Sequence, residues 1–435
     1  MEKTDFKELL KNSFLTAEAG MNGESKSEFH QVRKASLEEF LSLRVPTVKD
    51  EEWKYTNITP ITGRKFTTEA VAAPVGISEL QKFFYNIDKY LNIVFVNGKL
   101  NHELSGDFSS LKGVTITTIK EAFTEKISAA ETYFNKTADL KGNIFAALNT
   151  SFVAEGLFIH IGKNVAAEKP VRIIYVKKNA ENLLVSPRNL IVAEQGAELD
   201  LIETYAGLDE TSSFTNGVTE IYTAENASVS HILIQEENLN SYYINNVEVT
   251  QEGSSRYTSL NIALGSAIGR TNMSTRFTGP NSEGTLNGLF IAGGTQLIDN
   301  HTMIDHAMPH CQSHELYKGV LDGKARGVFN GKVMVRQDAQ KTNAFQENKT
   351  ILLSEEALID TKPQLEIFAD DVKCTHGATV GQLSEESLFY LKARGIGDQL
   401  ARSILINAFA DDLVDRMKFE DLRDYLEAKI AARLS

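Results

Sequence analysis

Between about Gly142 and Gly381 the chain repeats itself, and the interval limits its possible folds more than any other feature. Short segments rich in Val, Ile, Thr and Tyr follow one another, among them Leu157–Ile161, Val171–Val176, Glu198–Glu203, Ser228–Ile234 and Ser255–Ile262. Similar turn pieces precede them: Gln195-Gly196-Ala197, Glu225-Asn226-Ala227, Glu252-Gly253-Ser254 and Glu283-Gly284-Thr285. Their central residues fall at 196, 226, 253 and 284, a period of 27 to 31 residues. A strand–turn unit this short cannot bury its own apolar face, so it must stack on copies of itself. A β-sandwich or a double-stranded barrel also gives many short strands, but the near-regular period favours coils wound around one axis. No convincing helix interrupts this stretch. The expectation is a mainly β fold whose core, residues 142–381, is a parallel β-helix.

The flanks read differently. Phe6, Leu9, Leu10 and Phe14, then Phe29, Val32, Leu37, Phe40 and Leu41, recur at helical spacing. Ile93–Val96 followed by Asn97-Gly98 predicts a hairpin, because both central positions of a type I′ turn need positive φ. Residues 1–141 are therefore expected to form an N-terminal helical and α+β region. Residues 382–435 are expected to be helical. Ser384 caps a segment ending at Gly395, and Asp398 caps the next, with an apolar stripe of Leu400, Ile404, Leu405, Ala408, Phe409 and Leu413. Leu422, Leu426, Ile430 and Leu434 make a third amphipathic stretch. These helices suit either a cap on the solenoid end or a docking site for a partner.

Charge and motifs exclude several functions. Lys and Arg number 45 against 58 Asp and Glu, a net −13, which disfavours a sequence-independent grip on nucleic acid or an anionic membrane. The start has no apolar signal core, no run approaches a membrane span, and only Cys311 and Cys374 are present, so a reducing cytoplasm is the expected setting. Phosphate-binding loops, dinucleotide fingerprints, nucleophile elbows, HExxH helices and CxxC pairs are all missing, which counts against a self-contained enzyme.

Two places hold soft or borderline metal ligands. His301, His306, His310, Cys311 and His314 lie within fourteen residues. In an unbroken strand His306, His310 and His314 would share a face and Cys311 would point away, although Met308-Pro309 suggests a turn. Metal binding and core filling both remain open for this group. Cys374 and His376 are two apart, so on a strand they point to one side about 6.6 Å apart along the chain. They suit a soft metal or sulfur handling, or else a buried thiol beside a structural histidine.

The run Thr361–Gly381, which contains Cys374-Thr375-His376-Gly377-Ala378-Thr379, closely resembles the signature of the SufB/SufD family. So do Leu388–Ile396, Tyr317-Lys318-Gly319-Val320, Gly327–Gly331 and Asp50–Thr56. The resemblance spans nearly the whole chain. It implies a right-handed parallel β-helix flanked by helical regions and a role in cytoplasmic iron–sulfur cluster assembly. SufB-type chains carry a Gln-Cys-Asp run and a Glu-His-Glu-Ala-Thr run. Here the matching places read Phe345-Gln346-Glu347-Asn348 and Thr375-His376-Gly377-Ala378-Thr379, so the chain is most similar to the SufD type.

That likeness implies a non-enzymatic scaffold subunit, paired with a SufB-type β-helix protein and docking the SufC ABC-type ATPase through its C-terminal helices. His376 is the implied cluster-building residue at the SufB-type contact, with Cys374 in a weaker role. The cluster would be transient and no cofactor resident; flavin binding, the sulfur donor that feeds the system indirectly, and a homodimer of the lone chain are left open. A stand-alone β-helical metal-binding protein and a carbohydrate-active enzyme are the alternatives. Removing everything after Gly397 is expected to leave the β-helix folded and to abolish ATPase binding.

Overall fold

The computed structural model describes residues 6–69, 73–83, 87–136 and 142–434. From Glu198 onward consecutive strands alternate between two parallel sheets, so each coil gives one strand to each. Sheet I holds Glu198–Gly207, Ser228–Glu236, Arg256–Ala263, Glu283–Ala292, Gln312–Leu321, Asn343–Leu352 and Lys373–Gly381. Sheet II holds Ser213–Thr223, Tyr242–Gln251, Ile268–Phe277, Leu297–His306, Arg326–Val335 and Leu358–Ile367. In sheet I, Ser228 lies beside Glu198, Arg256 beside Ser228, Glu283 beside Arg256, Gln312 beside Glu283, Asn343 beside Gln312 and Lys373 beside Asn343. The coil thus repeats every 27 to 31 residues, the interval read from the sequence. The solenoid expectation is borne out.

In six successive coils the corner that enters sheet I turns through a residue with positive φ: Gly196, Asn226, Ser254, Asn281, His310 and Lys341. Hydrogen bonds run from coil to coil through this corner. The Gly196 N–H donates to the Glu225 carbonyl, that of Asn226 to Gly253, and that of His310 to Gln340. The backbone therefore has partners even where the strands bend. Two turn assignments shift by a few residues. Ser254, not Gly253, takes the left-handed conformation, and Gly284 lies inside a strand while Asn281 makes the turn. Asparagine visits that region more readily than most residues other than glycine, and here serine takes it as well, so glycine alone is a misleading marker.

The two inner faces make one core, with Leu201, Leu233, Tyr257, Leu286, Tyr317, Phe329 and Val333 all buried. Large and small residues alternate along it. A Cβ on Gly288 would lie 2.1 Å from Tyr317 Cε1, so glycine is what lets that ring lie across the preceding coil.

The N-terminal region adds helices Phe6–Ala19 and Glu28–Ser42, buried through Phe6, Leu10, Phe14, Phe29, Leu37 and Phe40 as their spacing predicts. The hairpin is present: Leu91–Val96 pairs antiparallel with Lys99–Leu100 across Asn97 and Gly98, both at positive φ. Leu91–Val96 and Val114–Thr117 extend the two sheets. The expected boundary at residue 141 falls in 137–141, outside the described residues. Beyond it, Ile144–Phe152 is a helix that the reading of 142–381 as unbroken β-structure missed. Its first five residues, Ile144–Leu148, form one apolar block before the polar Asn149, Thr150 and Ser151, so no amphipathic stripe marks it, and its residues through Ser151 are buried.

Three helices close the chain: Glu385–Ala393, Asp398–Val414 and Glu420–Leu434. The Ser384 hydroxyl caps the first as expected, but the second begins after Gly397, and Asp398 sits in its first turn, paired with Lys392 and Arg402. These helices cover the flank of sheet I and not the solenoid end. Ile406, Ala410, Leu413, Val414, Leu422, Leu426 and Ile430 pack on Ile232, Ile262, Leu289, Leu316 and Val320. Lys318 fixes the contact, donating to Asp412 Oδ2 at 2.6 Å and to the Phe409 carbonyl at 2.9 Å. Among the described residues no helix is long and apolar enough to cross a membrane.

Candidate functional site

The chemistry-bearing residues expected from the sequence fall into two unlike environments. His301, His306, His310, Cys311 and His314 straddle a corner and disperse. His301 faces outward on sheet II, where its Nε2 lies 3.0 Å from Asp299 and its Nδ1 3.3 Å from Glu52. His306 is buried in the core, its Nε2 2.8 Å from the Ser313 hydroxyl, and burial pushes its imidazole down to about 4. His310 is an exposed corner residue at φ 62°, and His314 is exposed on the outer side of sheet I. Cys311 is buried, with its thiol pushed up by burial and its Sγ 3.5 Å from the Gly279 carbonyl. The unbroken strand imagined for this segment does not exist, because the turn at Met308-Pro309 sends its halves to different sheets. Among the described residues no group of three or more His, Cys, Asp and Glu side chains converges as a metal site.

His301 instead explains the Asp50–Thr56 run. That segment lies as a strap across the outer face of sheet II. Trp53 stacks 3.8 Å from the Arg270 guanidinium, whose Nη1 donates to the Glu52 carbonyl at 2.7 Å. Asn330 donates to Glu52, Lys362 pairs with Glu51, and the Thr56 hydroxyl donates to Asp299. Burial alone would raise the Asp299 carboxyl, but His301 and Arg270 beside it hold it down at about 2.

Cys374 and His376 occupy a different setting. Their strand, Lys373–Gly381, is the last of sheet I, and Leu358–Ile367 is the last of sheet II. Among the described residues each pairs with one neighbour only, so both sheets end in an open edge. The register sets Cys374 beside Ala344 and His376 beside Gln346, both inward-facing and buried. Cys374 and His376 thus face the lumen at its uncovered mouth. Cys374 is half-buried against the core, and that burial pushes its thiol up. His376 is exposed and takes no hydrogen bond or ion pair among the described residues. Leu358, Ile367, Phe368 and Val380 are exposed around the mouth, a poor arrangement for a free surface.

Behind His376 a column of inward residues runs down sheet I through Gln346, Glu315, Leu286, Ser259 and His231. Glu315 and Gln346 are fully buried, and Gln346 Nε2 donates to Glu315 Oε2 at 2.7 Å. Burial pushes the Glu315 carboxyl up to about 7, against the opposing Thr302 hydroxyl and Gln346 amide. Nothing in the sequence pattern marks this pair. Both faces of sheet I are covered here, by core and by helices, so Leu316 and Lys318 are as buried as Glu315 and the alternation that marks inward positions is lost.

A second exposed surface lies on the C-terminal helices. The expected stripe divides: Leu413 is buried and Phe409 packs beside it, whereas Leu400, Ile404 and Ala408 are exposed. Leu400 is 59% exposed and Ile404 39%, and they lie near Phe389 and Tyr390, exposed by 74% and 57%. A shallow apolar groove of about 500 Å³ lies there, with Phe389, Tyr390, Leu391, Ile404 and Leu405 in its walls.

Comparison with known proteins shows what the whole chain is similar to. A family model described as the SUF system FeS cluster assembly, SufBD core domain, matches residues 175–409, and one described as the SufBD protein N-terminal region matches residues 4–173. The chain is 31% identical over 429 residues to an iron–sulfur cluster assembly SufBD family protein of Synechocystis, covering 96% of this chain and 94% of that protein. It is 31% identical over 404 residues to the iron–sulfur cluster assembly protein SufD of Escherichia coli, covering 92% and 91%. To SufD of Bacillus subtilis it is 28% identical over 432 residues, covering 94% and 96%.

Proposed function

Since the chain belongs to the SufBD family of SUF-system iron–sulfur cluster assembly proteins, we propose that it is a non-catalytic scaffold subunit whose open solenoid end is completed by a SufB-type β-helix partner. The carrying observation is that mouth: two unpaired strand edges, a rim of exposed apolar residues, and the Cys374–His376 pair facing inward between them. An edge of parallel strands with free N–H and C=O groups is a template for further strands. A β-helix partner supplies them and encloses His376 in the contact. The SufC ATPase docks on the exposed face of Phe389, Tyr390, Leu400 and Ile404. The iron–sulfur cluster is cargo, built at the contact and handed on, with His376 as its ligand or proton-handling group and Cys374 in a lesser role.

His376→Ala in the assembled complex tests this reading. Exposed and without a hydrogen-bond or ion-pair partner among the described residues, His376 has no structural work to lose, so complex assembly and thermal unfolding should match wild type while cluster absorbance disappears. Normal clusters in the variant would remove His376 from the site. Lost clusters with a large fall in melting temperature would make it a structural residue.

A further inference from the structure

Gln346 lies one strand behind His376 and Glu315 two, and the hydrogen bonding of this pair is incomplete. Gln346 Nε2 donates to Glu315 Oε2, yet Glu315 Oε1 and Gln346 Oε1 are both buried without a hydrogen-bond partner. Two acceptor oxygens left bare in a core are costly. A carboxylate cannot relieve either, since it is acceptor-only, whereas a protonated carboxyl carries the one donor that both lack. Glycine at 331 makes room for the pair: a Cβ there would lie 2.4 Å from Gln346 Nε2 and 3.0 Å from Thr302 Oγ1.

We propose that Glu315 is a neutral carboxylic acid in the folded chain, a positioning residue whose shared proton locks the Gln346 amide as the floor beneath His376. The pair is then reciprocal. The amide N–H donates to one carboxyl oxygen, and the carboxyl O–H donates to the amide oxygen. Gln346 is the register partner of His376, so fixing its amide fixes the wall against which the imidazole is presented.

The surroundings agree with a neutral acid. On its own strand Glu315 has Tyr317 on the inward side, and His306 lies across from it, bonded to Ser313; Cys374 and His376 stand toward the mouth. None of the influences on its carboxyl comes from a Lys or Arg side chain. Thr302 from sheet II presents a hydroxyl. A site meant to hold a carboxylate would carry a cation or several N–H donors, and this one carries a single amide N–H and a hydroxyl.

This inference rests on the cluster-building reading of the mouth for its consequence, but not for its chemistry. The first measurement uses the purified full-length chain alone at pH 6. A difference infrared spectrum, wild type minus Glu315→Gln, should show the carbonyl stretch of one protonated carboxyl. A carboxylate band instead would overturn the proposal whatever the chain's function. The second uses the assembled complex with Glu315→Gln and Glu315→Leu. Gln preserves the reciprocal pair and should keep cluster yield within about twofold of wild type. Leu fills the space but leaves both polar atoms of the Gln346 amide bare, so it should lower the melting temperature and, in complexes that still assemble, lower the yield at least tenfold, a loss that Gln does not share. Full yield in the Leu variant, or equal loss in both, would overturn the positioning role. If Leu fails to fold, the spectrum and the Gln variant still decide it.

Discussion

Replacing both Phe389 and Leu400 by Ala should cut the affinity for a SufC-type ATPase without weakening the fold. Phe389 is 74% exposed and Leu400 59%, so most of each side chain's burial is still to be gained in a complex. Full burial of such side chains contributes about 1.5–3 kcal/mol each. Scaling by exposure leaves about 1–2 kcal/mol each, or ~2–4 kcal/mol together. At 1.4 kcal/mol per factor of ten, Kd should rise about 30- to 700-fold. Exposed substitutions of this kind change stability by about 0.5 kcal/mol or less. Leu413→Ala, on the same helix as Leu400 but fully buried against sheet I, is the contrasting control and should cost about 2–5 kcal/mol of stability. Titration calorimetry with the ATPase, beside thermal unfolding of each variant, reads both quantities. A Kd within threefold of wild type in the double variant would refute the docking assignment. Truncation after Gly397, the experiment suggested by the sequence, is not a clean test. It would strip the cover from Ile232, Ile262, Leu289, Leu316 and Val320, and loss of binding would then follow from a damaged solenoid.

Three further outcomes are expected. Gly288→Ala, forced against the Tyr317 ring, should destabilise by about 1–3 kcal/mol, whereas Gly293→Ala, with nothing near its Cβ, should be close to neutral in the same urea titration. Because the Glu315 carboxyl rises from 4.5 to about 7 on folding, its contribution is intact below pH 4.5 and lost as pH climbs to 7. Wild type should therefore lose up to about 1.4 kcal/mol per pH unit in that window relative to Glu315→Gln, and parallel stability curves would contradict it. Alkylation in native buffer should label half-buried Cys374 slowly and Cys311 only after unfolding, as burial pushes both thiols up; mass spectrometry of the labelled peptides distinguishes them.

The periodic parts of the molecule were legible because their physics is local. Coil length, the Asn97-Gly98 hairpin and the faces of the first two helices follow from spacing and turn chemistry alone. Cys374 and His376 could be placed on one face of a strand, since a period of two needs no tertiary information. What could not be read depended on where elements land. The histidines between 301 and 314 looked like a cluster because they are close in sequence, yet a corner separates them. The stripe read on the second C-terminal helix joined residues of two faces: Leu400 and Ile404 are exposed, whereas Leu413, counted with them, packs with Ile406 on the opposite side. Glu315 was invisible for a third reason: with helices on one side of sheet I and core on the other, its strand shows no alternation.

The open mouth has a mechanical consequence. In a stack of coils, each is held by the coil before and the coil after, and stability is close to a sum of such neighbour terms. The last coil, Leu358–Gly381, has one neighbour, so it lies at the low end of the local stability gradient and its amides should exchange with solvent ahead of those in the central coils. The candidate site is thus built on the softest ring of an otherwise stiff rod. A partner strand added at either edge supplies the missing neighbour, and docking therefore hardens the place where Cys374 and His376 stand.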